Sequence, residues 1–317
     1  MSNSPIHHDL IILGAGPAGL SASIYANRAA IDTLTLEQGN FGGQMNLTHE
    51  LDNYPGFVSI SGADLSEKMH QHAEDLGCKF SFDIIQSVEK ASNDAGFLLR
   101  SSLQSYECTS LIVATGAAPR PAGFAGEDVY TGHGVSYCAT CDGFFFKNKL
   151  CYVLGGGNSA CLEADFLTRF AKKVFMVVRK DHFRATASNI KKVTNNPKIE
   201  ILYDTSVAEL SGDGTLASSI TLRNNRTGKK TTNTYDPGSF GVFVFTGYIP
   251  NSALVASLVE TNENNEILAT EKMETSVPGL FAAGDVREKA FRQVVTAAAD
   301  GATAATSAAL YLGNLVI

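Results

Sequence analysis

The sequence predicts an α/β protein built from two Rossmann-like nucleotide-binding domains, each doubly wound and three layers deep. Three observations lead there. Near the start, an apolar strand (H-D-L-I-I-L) is followed by G-A-G-P-A-G and then by L-S-A-S-I-Y, which has helical character. The same order returns in mid-chain as C-Y-V-L, G-G-G-N-S-A and C-L-E-A-D-F-L. Finally, three apolar strands end in glycine: L-I-V-A-T-G at 111–116, V-F-V-F-T-G at 242–247 and L-F-A-A-G at 280–284. A length of 317 residues accords with two domains at about 150 residues each.

In the first unit Gly14 permits the tight turn, Gly16 lets the backbone approach a pyrophosphate, and Gly19 lets helix and strand pack closely. The helix start then offers unpaired N–H groups and partial positive charge to phosphate. A second strand, T-L-T-L, ends at Glu37, 23 residues past Gly14, where a carboxylate meets an unphosphorylated ribose. G-N-F-G-G-Q-M (39–45) reads as an irregular glycine-rich loop, N-Y-P-G-F (53–57) as a turn, and 63–76 as a helix stopped by Gly77. Beyond Gly116, A-A-P-R-P reads as extended chain and a crossover between domains.

C-A-T-C-D-G, from Cys138 to Gly143, carries the chemistry. Two thiols at this spacing close and reopen a small disulfide ring, which suits the passage of two electrons. Asp142 is placed to exchange a proton with an attacking or departing thiol. The competing readings are half of a zinc site or two buried thiols. Zinc requires two further ligands at compatible spacing. Cys78, Cys108, Cys151 and Cys161 are scattered singly and no His pair lies nearby, so redox chemistry is favoured and no metal is expected.

In the second unit Gly155, Gly157 and Ala160 form the phosphate turn, and the strand V-F-M-V-V ends in Arg179 and Lys180 where the first unit has Glu37. Arg184 follows. Basic groups there favour a 2′-phosphate. The first unit therefore suits FAD and the second NADPH, the alternative being a solvated basic cluster. Residues 191–245 read as short strands and hairpins. Asp285 sits where a carboxylate accepts a sugar or ribityl hydroxyl. The Ala/Gly-rich helix after it, starting at 292–298, suits a flat electron-rich ring at its N-terminus or a close-packed core.

The net charge of −7 argues against nucleic acid as a partner. No apolar run reaches the roughly 18 residues of a membrane span. The N-terminus lacks a basic n-region, and six cysteines in a chain this long do not make a disulfide framework; a reducing, cytoplasmic setting is expected.

Together these stretches resemble the low-molecular-weight thioredoxin reductases over essentially the whole chain. The matching motifs are G-A-G-P-A-G-L, F-G-G-Q, N-Y-P-G-F, A-T-G-A-A-P-R, G-V-S-Y-C-A-T-C-D-G-F-F-F-K-N-K, G-G-G-N-S-A, F-T-G-Y-I-P and A-A-G-D-V followed by F-R-Q-V-V-T-A-A. The resemblance implies an FAD domain formed by 1–117 and 246–317, with an NADPH-binding and redox-disulfide domain, 118–245, inserted in it. Cys138 is then the thiol that attacks the partner disulfide, Cys141 the flavin-facing thiol and Asp142 the general acid. The motifs place Gly14, Ala15, Gly16, Pro17, Ala18, Gly19, Glu37, Gln38, Gly43, Gln44, Asn53, Ala114, Thr115, Gly116, Gly284, Asp285, Arg292, Gln293 and Val294 around FAD. They place Gly155, Gly157, Asn158, Ser159, Ala160, Arg179, Lys180 and Arg184 around NADPH. Thioredoxin or a thioredoxin-like protein is the implied partner, and a homodimer the implied assembly. The chain departs from the family in two places. Its basic motif begins with Val178 where the family has His and reads Lys180 for Arg, and its tail, Y-L-G-N-L-V-I, is apolar and expected to be packed. Two alternatives share the fold: a relative that takes electrons from ferredoxin or another donor, and a flavin-dependent dithiol oxidase. A ferredoxin–NADP reductase relative would lack the cysteine pair, and a flavin-binding scaffold would need no such pair.

Overall fold

The computed structural model describes residues 4–47, 51, 53–91 and 96–315. The chain divides into two compact units, Met1–Ala118 with Ile249–Ile317, and Pro119–Tyr248. The two crossing segments, Ala117–Pro119 and Tyr248–Pro250, pair as a two-stranded ribbon.

In the first unit four parallel strands lie in the order Lys79–Phe82, Thr33–Glu37, Ile6–Leu13, Ser105–Val113. Leu10, Ile11, Ile12 and Leu13 are all buried, as a parallel strand covered on both faces requires. Alternate residues enter opposite clusters. Ile11 and Leu13 meet Val88, Phe97 and Val255, whereas Leu10 and Ile12 meet Ala22 and Ala26 of the helix Pro17–Arg28 and Ala304 of the helix Val294–Tyr311. The sheet is thus the middle of three layers. Ser105–Val113, 9 residues long, serves two neighbours along one edge: Phe97–Ser101 antiparallel along its first half and Leu280–Ala282 parallel along its last three residues. Ile85–Lys90 completes the antiparallel excursion. The two helices approach each other at Gly301, where a Cβ would lie 2.0 Å from the Ala18 carbonyl oxygen.

The second unit repeats the plan. Its parallel strands lie in the order Ile199–Leu202, Lys173–Val177, Leu150–Leu154, Phe240–Val244, Val135–Ser136. Cys151 and Val153 pack on the helix Asn158–Leu167, while Tyr152 and Leu154 face Val207 and Ile220 of the meander Thr205–Gly212, Ala217–Asn224, Lys230–Thr234. Each unit therefore sets its returning strand beside its first strand, after an antiparallel excursion.

The structure differs from the sequence reading at three places. Ala187–Asn195 is a helix that runs into the stretch 191–245 expected to be strands and hairpins; only Val193 is fully buried on it, so its apolar period is faint. The glycine-rich loop contains a 3-10 turn, Gly43–Leu47. In the tail, Leu312 packs against the helix-layer cluster and Tyr311 meets Phe281 edge-on, but Tyr311 is half exposed and Leu315 is 40% exposed. Val316 and Ile317 lie outside the described residues.

Candidate active site

Cys138 and Cys141 are joined as a disulfide, Cα to Cα 5.3 Å, and both are half-buried. Local geometry explains the pairing: Cys138 is the N-cap of the short helix Ala139–Asp142, whose single turn brings Cys141 back over it. The Cys141 N–H points at Cys138 Sγ at 3.2 Å, and Thr140 Oγ1 lies 3.3 Å from the same sulfur. Ser136 Oγ donates to Asp142 Oδ2 at 2.6 Å and accepts from the Cys138 N–H at 3.1 Å. One hydroxyl thus ties the carboxyl to the start of the redox turn. Ser136 is buried at the end of Val135–Ser136. Sequence reasoning missed it, although its place two residues before Cys138 in the motif G-V-S-Y-C was the available signal.

The other four cysteines are single thiols. Burial pushes Cys108 and Cys151 up to about 12 and Cys161 to about 11, and it also raises Cys78. None is poised as a thiolate. Among the described residues no group of three His, Cys, Asp or Glu side chains could hold a metal ion, and no helix is long and apolar enough to cross a membrane.

The second unit's glycine turn has the shape of an anion cradle. A Cβ on Gly155 would lie 2.4 Å from the Phe245 carbonyl oxygen, so this turn admits only glycine. Gly157 caps Asn158–Leu167 without a side-chain hydrogen bond, and space over it is open. Ser159 is exposed beside it and Ala160 is buried beneath. Asn158 Oδ1 accepts from Thr186 N at 2.8 Å and Asn189 Nδ2 at 3.0 Å, and Arg184 N donates to the Gly156 carbonyl at 2.7 Å. These bonds carry Arg184 back to the cradle. Arg179, Lys180 and Arg184 are exposed. Val178 is buried under Gly156, where a Cβ would meet its Cγ1 at 3.0 Å. It supports the turn from below. Sequence reasoning missed the acidic part of this cluster. His182 Nδ1 lies 2.6 Å from Asp181 Oδ1, and Arg226 lies 3.0 Å from Asp204 and 3.9 Å from Asp181. The His182 contact holds the Asp181 carboxyl below its ordinary value.

The first unit's cradle is built alike. Gly14 backs onto the Ala114 carbonyl, and a Cβ there would come within 2.5 Å of its oxygen. Gly16 caps Pro17–Arg28 with no side-chain hydrogen bond, Pro17 opens the helix, and space over Gly16 is open. Buried Ala18 and Gly19 follow. Glu37 Oε2 accepts from Ala15 N at 2.6 Å, and Oε1 from Gln38 N at 2.9 Å and Gly39 N at 2.8 Å. Those three bonds aim the carboxylate and leave one acceptor site, on Oε2, for a ribose hydroxyl. Gly43 lies against Gly16, while Gln44 is exposed. Asn53 Nδ2 donates to Gln293 Oε1 at 3.1 Å, and Gln293 forms a capping box with Thr296 where Val294 begins the helix. Thr115 exchanges hydrogen bonds with Asn251, and space over Gly116 is open. Gly284 precedes Asp285, whose Oδ1 is buried with no hydrogen-bond partner. Burial pushes its carboxyl up, although Lys289 and Arg292 counteract. Arg292 pairs with Glu266. An uncapped helix start, open space above it and an orphaned carboxylate oxygen fit a bound dinucleotide.

A family profile described as pyridine nucleotide-disulphide oxidoreductase matches residues 8–301. The chain is 44% identical over 311 residues to a thioredoxin reductase of Peptoclostridium litorale, covering 97% of this chain and 98% of that protein. It is 41% identical over 315 residues to a thioredoxin reductase of Bacillus subtilis, covering 99% and 98%. A crystal structure of thioredoxin reductase from Streptococcus pyogenes matches with a TM-score of 0.87 at 39% identity, covering 98% of this chain and 100% of that one.

Proposed function

The chain belongs to the family of pyridine nucleotide-disulphide oxidoreductases, and from that premise we propose that it is a thioredoxin-disulfide reductase. Electrons pass from NADPH through FAD to the Cys138–Cys141 disulfide and on to thioredoxin or a similar protein. The observation that carries this reading is the closed disulfide in a nucleotide-binding unit, with Asp142 beside it and held by Ser136.

In this reading residues 1–117 and 246–317 hold FAD, and 118–245 hold NADPH and the redox pair. For FAD, the helix start after Gly16 takes the pyrophosphate, Glu37 a ribose hydroxyl and Asp285 a ribityl hydroxyl, with Gln38, Gln44, Asn53, Ala114, Thr115 and the 292–294 helix start lining the rest. For NADPH, the turn Gly155–Ala160 takes the pyrophosphate, and Arg179, Lys180 and Arg184 the 2′-phosphate. When bound, the two cofactors supply the electron pair that opens the disulfide.

The remaining steps belong to the chain's own residues. After reduction, the Cys141 N–H and the Thr140 hydroxyl lie next to Cys138 Sγ and favour its thiolate. Cys138 Sγ attacks one sulfur of the partner disulfide. That S–S bond breaks, the departing sulfur takes a proton, and a mixed disulfide forms. Cys141 then attacks Cys138 Sγ, re-forming the internal disulfide and releasing the partner's second thiol. Two electrons and two protons have moved to the partner. Asp142 is the group placed to exchange protons with these sulfurs, and Ser136 positions it.

Two observations favour a second reading, in which ferredoxin or another donor replaces NADPH: Val178 is buried, and Asp181 stands beside His182 and Arg226. A cytoplasmic homodimer completes the proposal, and light scattering checks the dimer. The activity itself is tested by thiol release from oxidised thioredoxin with NADPH. Wild type is expected to turn over, while Cys138→Ser and Cys141→Ser keep their flavin and release no thiol. Near-normal turnover by Cys138→Ser would overturn the assignment.

A further inference from the structure

A buried ionic cluster in the first unit, centred on Asp300, adjoins the turn that carries Asp285. Asp300, 6% exposed on the helix Val294–Tyr311, gathers four hydrogen bonds. Its Oδ2 accepts from Gly284 N at 3.1 Å, Arg287 Nε at 2.9 Å and Lys289 Nζ at 2.8 Å, and its Oδ1 from Arg287 Nη2 at 3.0 Å. Despite burial, which alone would raise it, the Asp300 carboxyl is held below its ordinary value by Arg287 and Lys289. Gly284–Val286 is the turn that carries Asp285, so Asp300 grips that turn at its first N–H. Lys289 Nζ stands 4.0 Å from Asp285 Oδ1, beyond hydrogen-bond reach, and its side chain is 6% exposed. The buried ammonium lies between two carboxylates and bonds only one of them.

We propose that Asp300 is a positioning residue for the cofactor: by anchoring Lys289 it keeps the ammonium from pairing with Asp285, whose carboxylate stays available to a cofactor hydroxyl. The inference rests on the reading of Asp285 as that acceptor. Freed from Asp300, the same ammonium is close enough to close a direct ion pair, turn the carboxylate and take its lone pairs.

The test is the FAD dissociation constant, read from flavin fluorescence as FAD is titrated into flavin-stripped full-length protein. Asp300→Asn is expected to weaken FAD about tenfold or more, the worth of a hydrogen bond to a charged group. Lys289→Met alone is expected to stay within about twofold of wild type, the scatter of independent sites. Asp300→Asn combined with Lys289→Met is expected to return toward wild type, because the competing ammonium is gone. A purely structural Asp300 would leave the double variant as weak as Asp300→Asn, and that result overturns the proposal, as does an Asp300→Asn affinity equal to wild type. A tenfold loss in Lys289→Met alone also overturns it, since Lys289 would then touch the cofactor. Where Asp300→Asn does not fold, Lys289→Arg decides: its longer donor set spans both carboxylates and should weaken FAD where Met does not, and equal affinities refute the idea. Failure of the underlying reading looks different, as no FAD uptake by wild type or no loss in Asp285→Asn.

Discussion

Ser136 and Asp142 show how much one hydroxyl decides at the redox turn. The Ser136 Oγ–H fixes the carboxylate 2.6 Å away, and the same oxygen accepts the Cys138 N–H. Asp142→Asn removes the proton donor but keeps the shape, so disulfide reduction is expected to fall on the order of 10²–10⁴-fold, the range of general acid–base catalysis. Ser136→Ala is expected to fall less, because the carboxyl remains and loses only its orientation. Single-turnover reaction of the prereduced variants with oxidised thioredoxin measures both, and an Asp142→Asn rate equal to wild type would remove Asp142 from the mechanism. At this scale the cysteines and Asp142 were legible because their relation is local, three residues within one short turn, 138–142. Ser136 was half legible, lying just upstream. Asp300 was not, since its hold on Lys289 and on the turn of Asp285 depends on a helix folding back over an earlier turn.

The helices carry two consequences at the scale of elements. Glu163, on Asn158–Leu167, has Oε2 buried without a hydrogen-bond partner, and burial pushes its carboxyl from 4.5 up to about 7. The folded state therefore binds this proton more tightly than the unfolded chain. Its contribution to stability is complete below the unfolded value and is lost as pH rises through the folded one. Glu163→Gln is expected to melt close to wild type at pH 5 and above it at pH 8, by about 2–4 °C per kcal/mol relieved. Equal melting temperatures at pH 8 would show that the carboxyl finds a partner. Gly301 is the second case: a Cβ there meets backbone, the Ala18 oxygen, which cannot turn aside. Gly301→Val is expected to cost at least about 1–3 kcal/mol in denaturant unfolding and to loosen FAD with it. The helix start at 292–298 had two readings, cofactor dipole or packed core. Gly301 and the buried alanines establish the packing, and FAD binding tests the other. Ala187–Asn195 escaped notice because one buried valine does not make a period.

For the whole molecule, the repeated fold was legible because each unit contains a strand, glycine turn and helix in succession, a signal contained in about 30 residues. The electron donor was less so, because Asp204 and Arg226, from two other segments, join Asp181 and His182 within the basic run 179–184. Arg184→Ala is expected to raise the KM for NADPH by roughly 10–100-fold, the worth of a charge-assisted hydrogen bond, and to leave NADH nearly unchanged. An equal loss with both nucleotides would place Arg184 at the pyrophosphate. The most direct test is an anaerobic titration of the flavin-loaded protein with NADPH, followed by oxidised thioredoxin. Flavin and disulfide each take two electrons, so full bleaching of the flavin should need two NADPH per flavin in wild type and one in Cys138→Ser. Thioredoxin should then restore the yellow colour in wild type alone. An unbleached flavin at millimolar NADPH, or one equivalent sufficing in wild type, would contradict an electron path from NADPH to the Cys138–Cys141 pair.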